Sequence, residues 1–366
     1  MTANISCGYH RADPSSSPAS TPVSDQTASI DSPGSGFYSA AESPIFGRNP
    51  ITTSNHTLSY QNFPPNGVNI LHLELFHHLS SVTWKGFRVG GNNARQAFDA
   101  VINFAFGAPF LMHEILAISA LHLSTLRPNQ KELYSNKAAE LQTYALSLFN
   151  NLPDSYNSEN PIPVFLFSSF LGIHVLFDTL LYRPADFSLF IDRFVGCLRL
   201  HRGVYTLAKG SWALLQDTEL RPLIITREQG ETEGNECAVL KSLMRSADLS
   251  QASVDTCQKA IERLQWVFDC SHLQTESTED AGEADLIFAW PITISPEFTE
   301  LLLQKRPEAL AVLAHYAVLL HWRRNLWIIK DGGMFLMESI MRYLGSYWEH
   351  WLAFPISVLR EVESNN

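Results

Sequence analysis

His113 stands beside a carboxylate and His174 one helical turn from one, and metal sites use both spacings. His113-Glu114 begins like the HExxH motif, in which two histidines on one helix face hold zinc and the glutamate acts as general base. Ala117 occupies the position of the second histidine, so zinc-dependent hydrolysis has no support here. The residues favour a helix–helix contact as the role of His113.

His174 and Asp178 lie four residues apart and would share one face of a helix. That arrangement could supply half of a metal site, but the sequence contains no second pair with matching spacing. A structural hydrogen bond between the two side chains is therefore the expected role.

Other signatures of chemistry are missing from the sequence. It contains no GxGxxG or GxxxxGK[ST] phosphate loop and no GxSxG nucleophile turn. It also lacks the aspartate-rich helix that all-α diphosphate enzymes use to hold magnesium. The sequence thus predicts no catalytic residue, no metal site and no cofactor, and we do not expect an enzyme.

The cysteines and the charge narrow the class of protein further. Five scattered cysteines without a CxxC pair do not suggest a disulfide framework and fit a reducing compartment. The formal net charge of -11 repels phosphate backbones, so direct DNA binding by this chain alone is not expected. The basic residues Arg323, Arg324 and Lys330 lie among apolar neighbours and are interpreted as a helix end that packs on the core.

The composition divides the chain into two parts. Residues 1–66 are rich in Ser, Pro and Thr and poor in bulky apolar residues, which predicts a disordered leader. Residues 67–366 repeat apolar residues at helical spacing and contain no strand alternation, so we predict an all-α fold, a multi-helix bundle. The most apolar stretch, Ala309–Trp322, is 14 residues long, too short for a membrane span and typical of a buried helix.

Apolar periodicity and proline positions place most of the helices. Pro109 is expected at the first turn of a helix that is apolar on nearly every face and therefore central in the bundle. Gly332-Gly333 is interpreted as a turn between two helices. The predicted helical segments begin near Asn69 and continue as Arg95–Phe106, Phe110–Leu123, Asn129–Phe149, Val164–Tyr182, Pro184 to about Ala208, Val254–Asp269, Pro307–Trp322 and Met334–Trp351.

The stretch Phe288–Pro355 carries the most specific pattern. It contains Trp290-Pro291 before a helix, the RPEAL and LAHYAVLLH motifs, a Trp followed by the glycine pair, and a terminal WxxW. This stretch resembles the C-terminal part of the fungal-specific transcription factor domain of zinc-cluster regulators, in the branch of the sterol uptake control proteins. Leu71–Trp84 and Ala108–Pro128 are similar to the opening helices of the same branch, so the resemblance covers about residues 70–355.

The chain departs from that family at its start. Such regulators usually begin with a zinc cluster of six cysteines that places a helix in the DNA major groove. Here Cys7 is the only cysteine in the first 190 residues, and one thiolate cannot hold zinc. Either the protein has lost its DNA-binding module or the assigned gene start lies too far downstream, and the sequence does not choose between them.

The resemblance implies a pocket for a sterol-like or other hydrophobic molecule, since the helical domain of the sterol-responsive relatives binds a lipid. Aromatic and methionine side chains suit a rigid apolar ligand, although ordinary core packing explains the same residues. The paired glycines would allow tight or left-handed backbone at the pocket rim, or a plain capping turn. The predicted pocket residues are Tyr316, Leu320, Trp327, Gly332, Gly333, Met334, Phe335 and Met337.

Together these observations predict a nuclear transcriptional regulator that acts through an effector-binding and dimerisation domain, with control of a biosynthetic gene cluster as a finer expectation. Without a zinc cluster of its own, it would form a homodimer or a heterodimer with another transcription factor. The alternative is a sterol- or lipid-binding helical module with no direct role at DNA.

Overall fold

The structure, a computed structural model, is all-helical wherever it describes the chain. It describes residues 68–87, 94–153, 155–209, 215, 218–220, 234–276 and 285–364. These residues belong to the unit Phe63–Asn366 and contain no β-strand. The prediction of an all-α fold is therefore confirmed, while the predicted leader, residues 1–66, lies outside the described residues.

The helices follow one another with short connections. A π-helical turn, Leu79–Thr83, joins the first two helices, and 3-10 turns at Pro128–Gln130 and Ser346–Trp348 stand beside later ones. In chain order the helices are α1 (Ile70–His78), α2 (Trp84–Gly86), α3 (Ala94–Gly107), α4 (Pro109–Leu126), α5 (Lys131–Asn150), α6 (Tyr156–Glu159), α7 (Pro161–Leu181), α8 (Phe187–Lys209), α9 (Ala238–Ser246), α10 (Gln251–Glu276), α11 (Asp285–Ala289), α12 (Pro296–Leu303), α13 (Pro307–Trp322), α14 (Gly332–Leu344) and α15 (Ala353–Ser364).

Helix α13 lies inside the bundle because it has no polar face. Every residue from Glu308 to His321 is buried. A helix that is apolar all round must be covered on all sides, and α13 packs against α9, α10, α12, α14 and α15. Its bounds match the sequence prediction, since Pro307 fits the first helical position and the apolar run sets the length.

Helix α4 has the same role among the N-terminal helices. Every residue from Glu114 to Ser124 is buried, and the helix packs against α1, α3, α5 and α7. Pro109 lies in its first turn, as predicted. The apolar residues around α4 and those around α13 belong to one continuous core.

Two helices, α4 and α7, are long and apolar enough to pass a composition test for membrane spans. Of their most apolar 18-residue windows, 72% and 61% of the residues are buried inside the bundle. Core helices of folded units pass the same test, so these two helices are weak evidence for a span.

Three predicted helix starts are wrong by three residues; one is that of α10, which begins at Gln251 rather than Val254. Helix α7 begins at Pro161 rather than at the predicted Val164, because proline is well tolerated in the first turn. Helix α8 begins at Phe187 rather than Pro184, and the side chain of Asp186 accepts a hydrogen bond from the Ser188 amide (2.8 Å) at its start.

The predicted turn at Gly332-Gly333 is also wrong, since both residues open helix α14. A Cβ on Gly333 would lie 2.4 Å from the amide nitrogen of His321 and 2.8 Å from the carbonyl oxygen of Ala317. A Cβ on Gly332 would lie 2.9 Å from the Leu180 side chain. Gly333 therefore permits a close approach of α14 to the backbone of α13, and Gly332 permits one to the Leu180 side chain of α7. Neither residue is in the left-handed region.

The chain turns instead at Gly345, whose φ of 76° lies in the left-handed region that favours glycine. This residue ends α14 and interrupts the predicted segment Met334–Trp351. A glycine that ends a helix and a glycine at a close helix contact look alike in sequence. The prediction therefore placed the turn at Gly332-Gly333 instead of at Gly345.

We expect Gly333→Ala to destabilise the protein by about 2 kcal/mol, because the added methyl group must push α14 away from the α13 backbone. The measurement is urea unfolding followed by circular dichroism. Gly196→Ala is the matched control: Gly196 lies within α8, and a Cβ there meets nothing within 4 Å. That control should be neutral or stabilising by about 0.5–1 kcal/mol. Equal stability of the two variants would contradict the close contact.

Candidate functional site

Tyr316, the first of the predicted pocket residues, is held on all sides by the core. Its hydroxyl donates a hydrogen bond of 2.6 Å to the carbonyl oxygen of Ile287. Its ring stacks on Trp290 with the centroids 4.7 Å apart. Burial raises the pKa of Tyr316 well above its usual value, so the hydroxyl stays protonated.

Trp327 lies in a different aromatic cluster. Its indole stacks on the imidazole of His122 at 4.6 Å and contacts the rings of Phe87 and Phe177 at 5.8 and 5.5 Å. His122 Nδ1 in turn lies 3.0 Å from Thr83 Oγ1, in the π-helical turn. Within the described part of the chain, the buried indole Nε1 has no hydrogen-bond acceptor. Tyr316 and Trp327 thus share no ring partner.

The remaining predicted residues divide between the interior and the surface. Leu320 and Met337 are fully buried, and Gly332 and Gly333 form the helix contact described above. Phe335 is half-buried and packs on Phe190 at 5.0 Å.

The outer side of the Phe335 ring carries a guanidinium group. Arg183 lies 4.6 Å from the ring centroid and donates hydrogen bonds of 2.8 and 2.5 Å to the two carboxylate oxygens of Asp331. The hydrogen bond from Arg183 lowers the pKa of Asp331. This arrangement ties the end of α7 to the start of α14.

A groove lies between α14 and α15. All eight predicted pocket residues are described, and Met334 is the one among them that lines this groove. The groove has a volume of about 520 Å³, within the range of small-molecule sites. The sequence analysis missed the groove, although its two apolar stripes recur at helical spacing on either side of Gly345. It is lined by Met334, Glu338, Met341, Arg342, Gly345, Ser346, Glu349, Leu352, Ile356, Leu359 and Arg360.

Glu114 and His174 form a buried polar pair between α4 and α7. Glu114 Oε1 lies 3.1 Å from His174 Nδ1, and both side chains are almost completely inaccessible to solvent. His174 Nε2 lies 3.8 Å from Asp178 Oδ2, too far for a hydrogen bond. The predicted His174–Asp178 hydrogen bond is therefore wrong, because Glu114, which is distant in sequence, is the partner.

The fold completes a metal-ligand set at neither His113-Glu114 nor His174/Asp178 within the described residues. His113 Nδ1 donates a hydrogen bond of 2.7 Å to the carbonyl oxygen of Pro109, and the imidazole packs on the Tyr144 ring at 4.7 Å. Among the described residues, no group of three or more His, Cys, Asp or Glu side chains has an arrangement that could hold a metal ion.

The four described cysteines are buried and form no disulfide among the described residues, and Cys7 lies outside the described residues. Burial raises the pKa of Cys257 to about 12, and it raises the pKa of Cys197 and Cys237 further. A thiol that stays protonated is a poor nucleophile and a poor metal ligand. These side chains therefore pack as small apolar groups.

Three buried histidines are neutral at physiological pH. Burial lowers the pKa of His122, His201 and His315 to about 4. His315 Nδ1 lies 2.9 Å from the carbonyl oxygen of Ala311, while the Nε2 atoms of His201 and His315 have no partner among the described residues. Charging these rings inside the core is unfavourable.

We expect the free energy of unfolding to fall as the pH drops from about 6.5 to 4. In this range the three histidines bind protons in the unfolded state but not in the folded state. The completely buried His315 contributes up to about 1.4 kcal/mol per pH unit. His315→Asn should reduce the slope by about that amount in urea titrations across this range. His350→Asn, at an exposed position, is the control. An unchanged slope in His315→Asn would contradict a neutral buried imidazole.

No family model matches the chain. It is similar to a protein of Gibberella zeae named "Zn(2)-C6 fungal-type transcription factor", with 23% identity over 343 aligned residues. The alignment covers 86% of this chain, and the chain spans about 65% of the length of that relative. The chain, all-helical in its described residues, is thus similar over most of its length to a protein named as a fungal transcription factor of the Zn(2)-C6 type.

Proposed function

We propose that the chain is a transcriptional regulator that works as the effector-binding and dimerisation part of a fungal zinc-cluster-type factor. One observation carries the proposal: 86% of the chain aligns with a protein named as such a factor. The all-helical bundle of the described residues agrees with the fold that the motifs in Leu71–Trp84, Ala108–Pro128 and Phe288–Pro355 imply. We place the protein in the nucleus on the same basis.

The chemistry of the interior supports a role in binding rather than in catalysis. Burial keeps the thiols of Cys197, Cys237 and Cys257 protonated and the three histidines that it perturbs most neutral. The Glu114 carboxylate is engaged with His174 between two packed helices. A catalytic site usually combines a nucleophile or base with a charged partner in an accessible cleft. The groove beside Met334 instead presents apolar side chains and exposed charges.

Contact with DNA is assigned to a separate zinc cluster. The net charge of -11 opposes a direct contact of this chain with phosphates, and Cys7 is the sole cysteine before Cys197. Six zinc-binding cysteines outside this stretch, in a partner factor or elsewhere in the same protein, would supply the cluster. Control of a biosynthetic gene cluster is the finer proposal, and it rests on the motif resemblance alone.

Of the eight predicted pocket residues, we propose that Trp327 and Met334 contact the effector. Trp327 carries a buried Nε1 donor without an acceptor among the described residues, and Met334 lines an open groove. The other six are engaged in packing, hydrogen bonding or helix contacts. A hydrophobic effector that carries a hydrogen-bond acceptor would accept a hydrogen bond from the Trp327 Nε1–H group.

A fusion of the full chain to a heterologous DNA-binding domain tests the proposed function. We expect reporter expression in a fungal host to change several-fold relative to the DNA-binding domain alone, on a basal or on a pre-activated promoter. Gly196→Ala should keep the effect, since it leaves the packing unchanged. A fusion that enters the nucleus but changes neither reporter would overturn the proposal.

A further inference from the structure

Two buried nitrogen atoms without a partner lie in one cluster of three rings, formed by His78, His122 and Trp327. The centroid of the His122 imidazole lies 4.6 Å from the Trp327 indole and 5.1 Å from the His78 ring. Trp327 is only 8% exposed. Within the described residues, neither Trp327 Nε1 nor His78 Nε2 has a hydrogen-bond partner. Because a buried N–H group is unfavourable when it is unpaired, the indole needs an acceptor.

The elements around this ring cluster hold the indole in place but do not supply the acceptor. His122 Nδ1 lies 3.0 Å from Thr83 Oγ1, in the π-helical turn Leu79–Thr83. Turns of this kind are frequent at functional sites. Gly86 borders the indole edge that carries the N–H group, where an added Cβ would lie 3.3 Å from Nε1. That edge therefore faces a residue without a side chain.

Positive charge is in excess beside the ring cluster. Burial lowers the pKa of His122 most, and the ammonium group of Lys330 lowers it further. Burial, and then the charge of Lys131, lower the pKa of Lys330 in turn. The salt bridges among the described residues include neither lysine, and the adjacent Asp331 carboxylate is bound by Arg183. This excess stands out in a chain whose net charge is -11.

A second lysine shows what Lys330 lacks. Lys305 and Lys330 both have a φ in the left-handed region, 55° and 49°. The ammonium group of Lys305 donates to the Asp192 carboxylate (3.2 Å) and to the carbonyl oxygen of Leu303 (3.1 Å). Lys330 has the same backbone conformation without a carboxylate bound to its ammonium group in the described part of the chain. An anion from solution would fill that role.

We propose that the ring cluster and Lys330 bind the carboxylate group of a small organic acid. The carboxylate accepts a hydrogen bond from Trp327 Nε1, and the ammonium group of Lys330 balances its charge, as in other charge-assisted pairs. The rings of Phe87 and Phe177, 5.8 and 5.5 Å from the indole, provide an apolar setting for the rest of the acid. The inference rests on the proposed function, since it assigns the effector to the class of organic acids rather than neutral lipids.

Isothermal titration calorimetry of the full chain with benzoate and with benzamide tests the site. The two probes have nearly the same size, and only benzoate is charged. We expect saturable binding of benzoate with a dissociation constant of about 1 mM or below, and binding of benzamide that is weaker by about tenfold or more. No saturable binding of benzoate up to about 10 mM would overturn the site, as would equal affinities for the two probes.

Variants of the two proposed contacts separate a charge effect from a hydrogen bond. Lys330→Gln should weaken benzoate binding by about tenfold and leave benzamide unchanged, whereas Lys330→Arg should retain benzoate. Trp327→Phe keeps the ring but removes the N–H group, so it should weaken both probes by about fivefold. Lys305→Gln is the matched control and should bind benzoate like the native chain. Circular dichroism checks that each variant is folded.

Equal losses in Lys330→Gln and Lys305→Gln would also overturn the site, because a general effect of charge would then explain the binding. The reporter fusion distinguishes this inference from the proposed function. A chain that does not bind benzoate but changes the reporter would overturn the anion site alone. A chain that binds benzoate but changes neither reporter would overturn the proposed function and leave the site standing.

Discussion

The burial of α13 is the constraint on which much of the described fold depends. A helix without a polar stripe cannot lie at a surface, so it must be covered by five other helices. Such coverage requires close packing, and the tightest place is where Gly333 lies against the backbone between Ala317 and His321. The geometry of α14, and with it the position of the groove and of Gly345, follows from that contact.

Covering α13 and α4 completely has an electrostatic consequence. Polar residues carried on these helices are buried with them, and each must be neutral or paired. His315 and His122 are kept neutral by burial, and Glu114 reaches His174 across the helix interface. The interior around these two helices thus contains the uncharged His315 and His122 and the paired Glu114.

Sequence reasoning succeeded where one element determines its own structure. The bounds of α13 follow from Pro307 and an unbroken apolar run, and the placement of α4 follows from Pro109 and its all-round hydrophobicity. It failed where the cause is a distant residue. The role of Gly333 depends on the α13 backbone, and the partner of His174 is Glu114, which lies 60 residues earlier.

The predicted pocket shows the same limit in a different form. Tyr316 and Trp327 are 11 residues apart and both aromatic, which favoured a shared cavity, yet each completes a separate stack with rings from other helices. Two side chains that are close in sequence need not point toward the same cavity when the chain turns between them. The groove, by contrast, arises because α14 and α15 each pack on α13 more than on each other. The apolar side chains between α14 and α15 remain exposed as a result of that packing. A partner that binds there and covers them stabilises the folded protein.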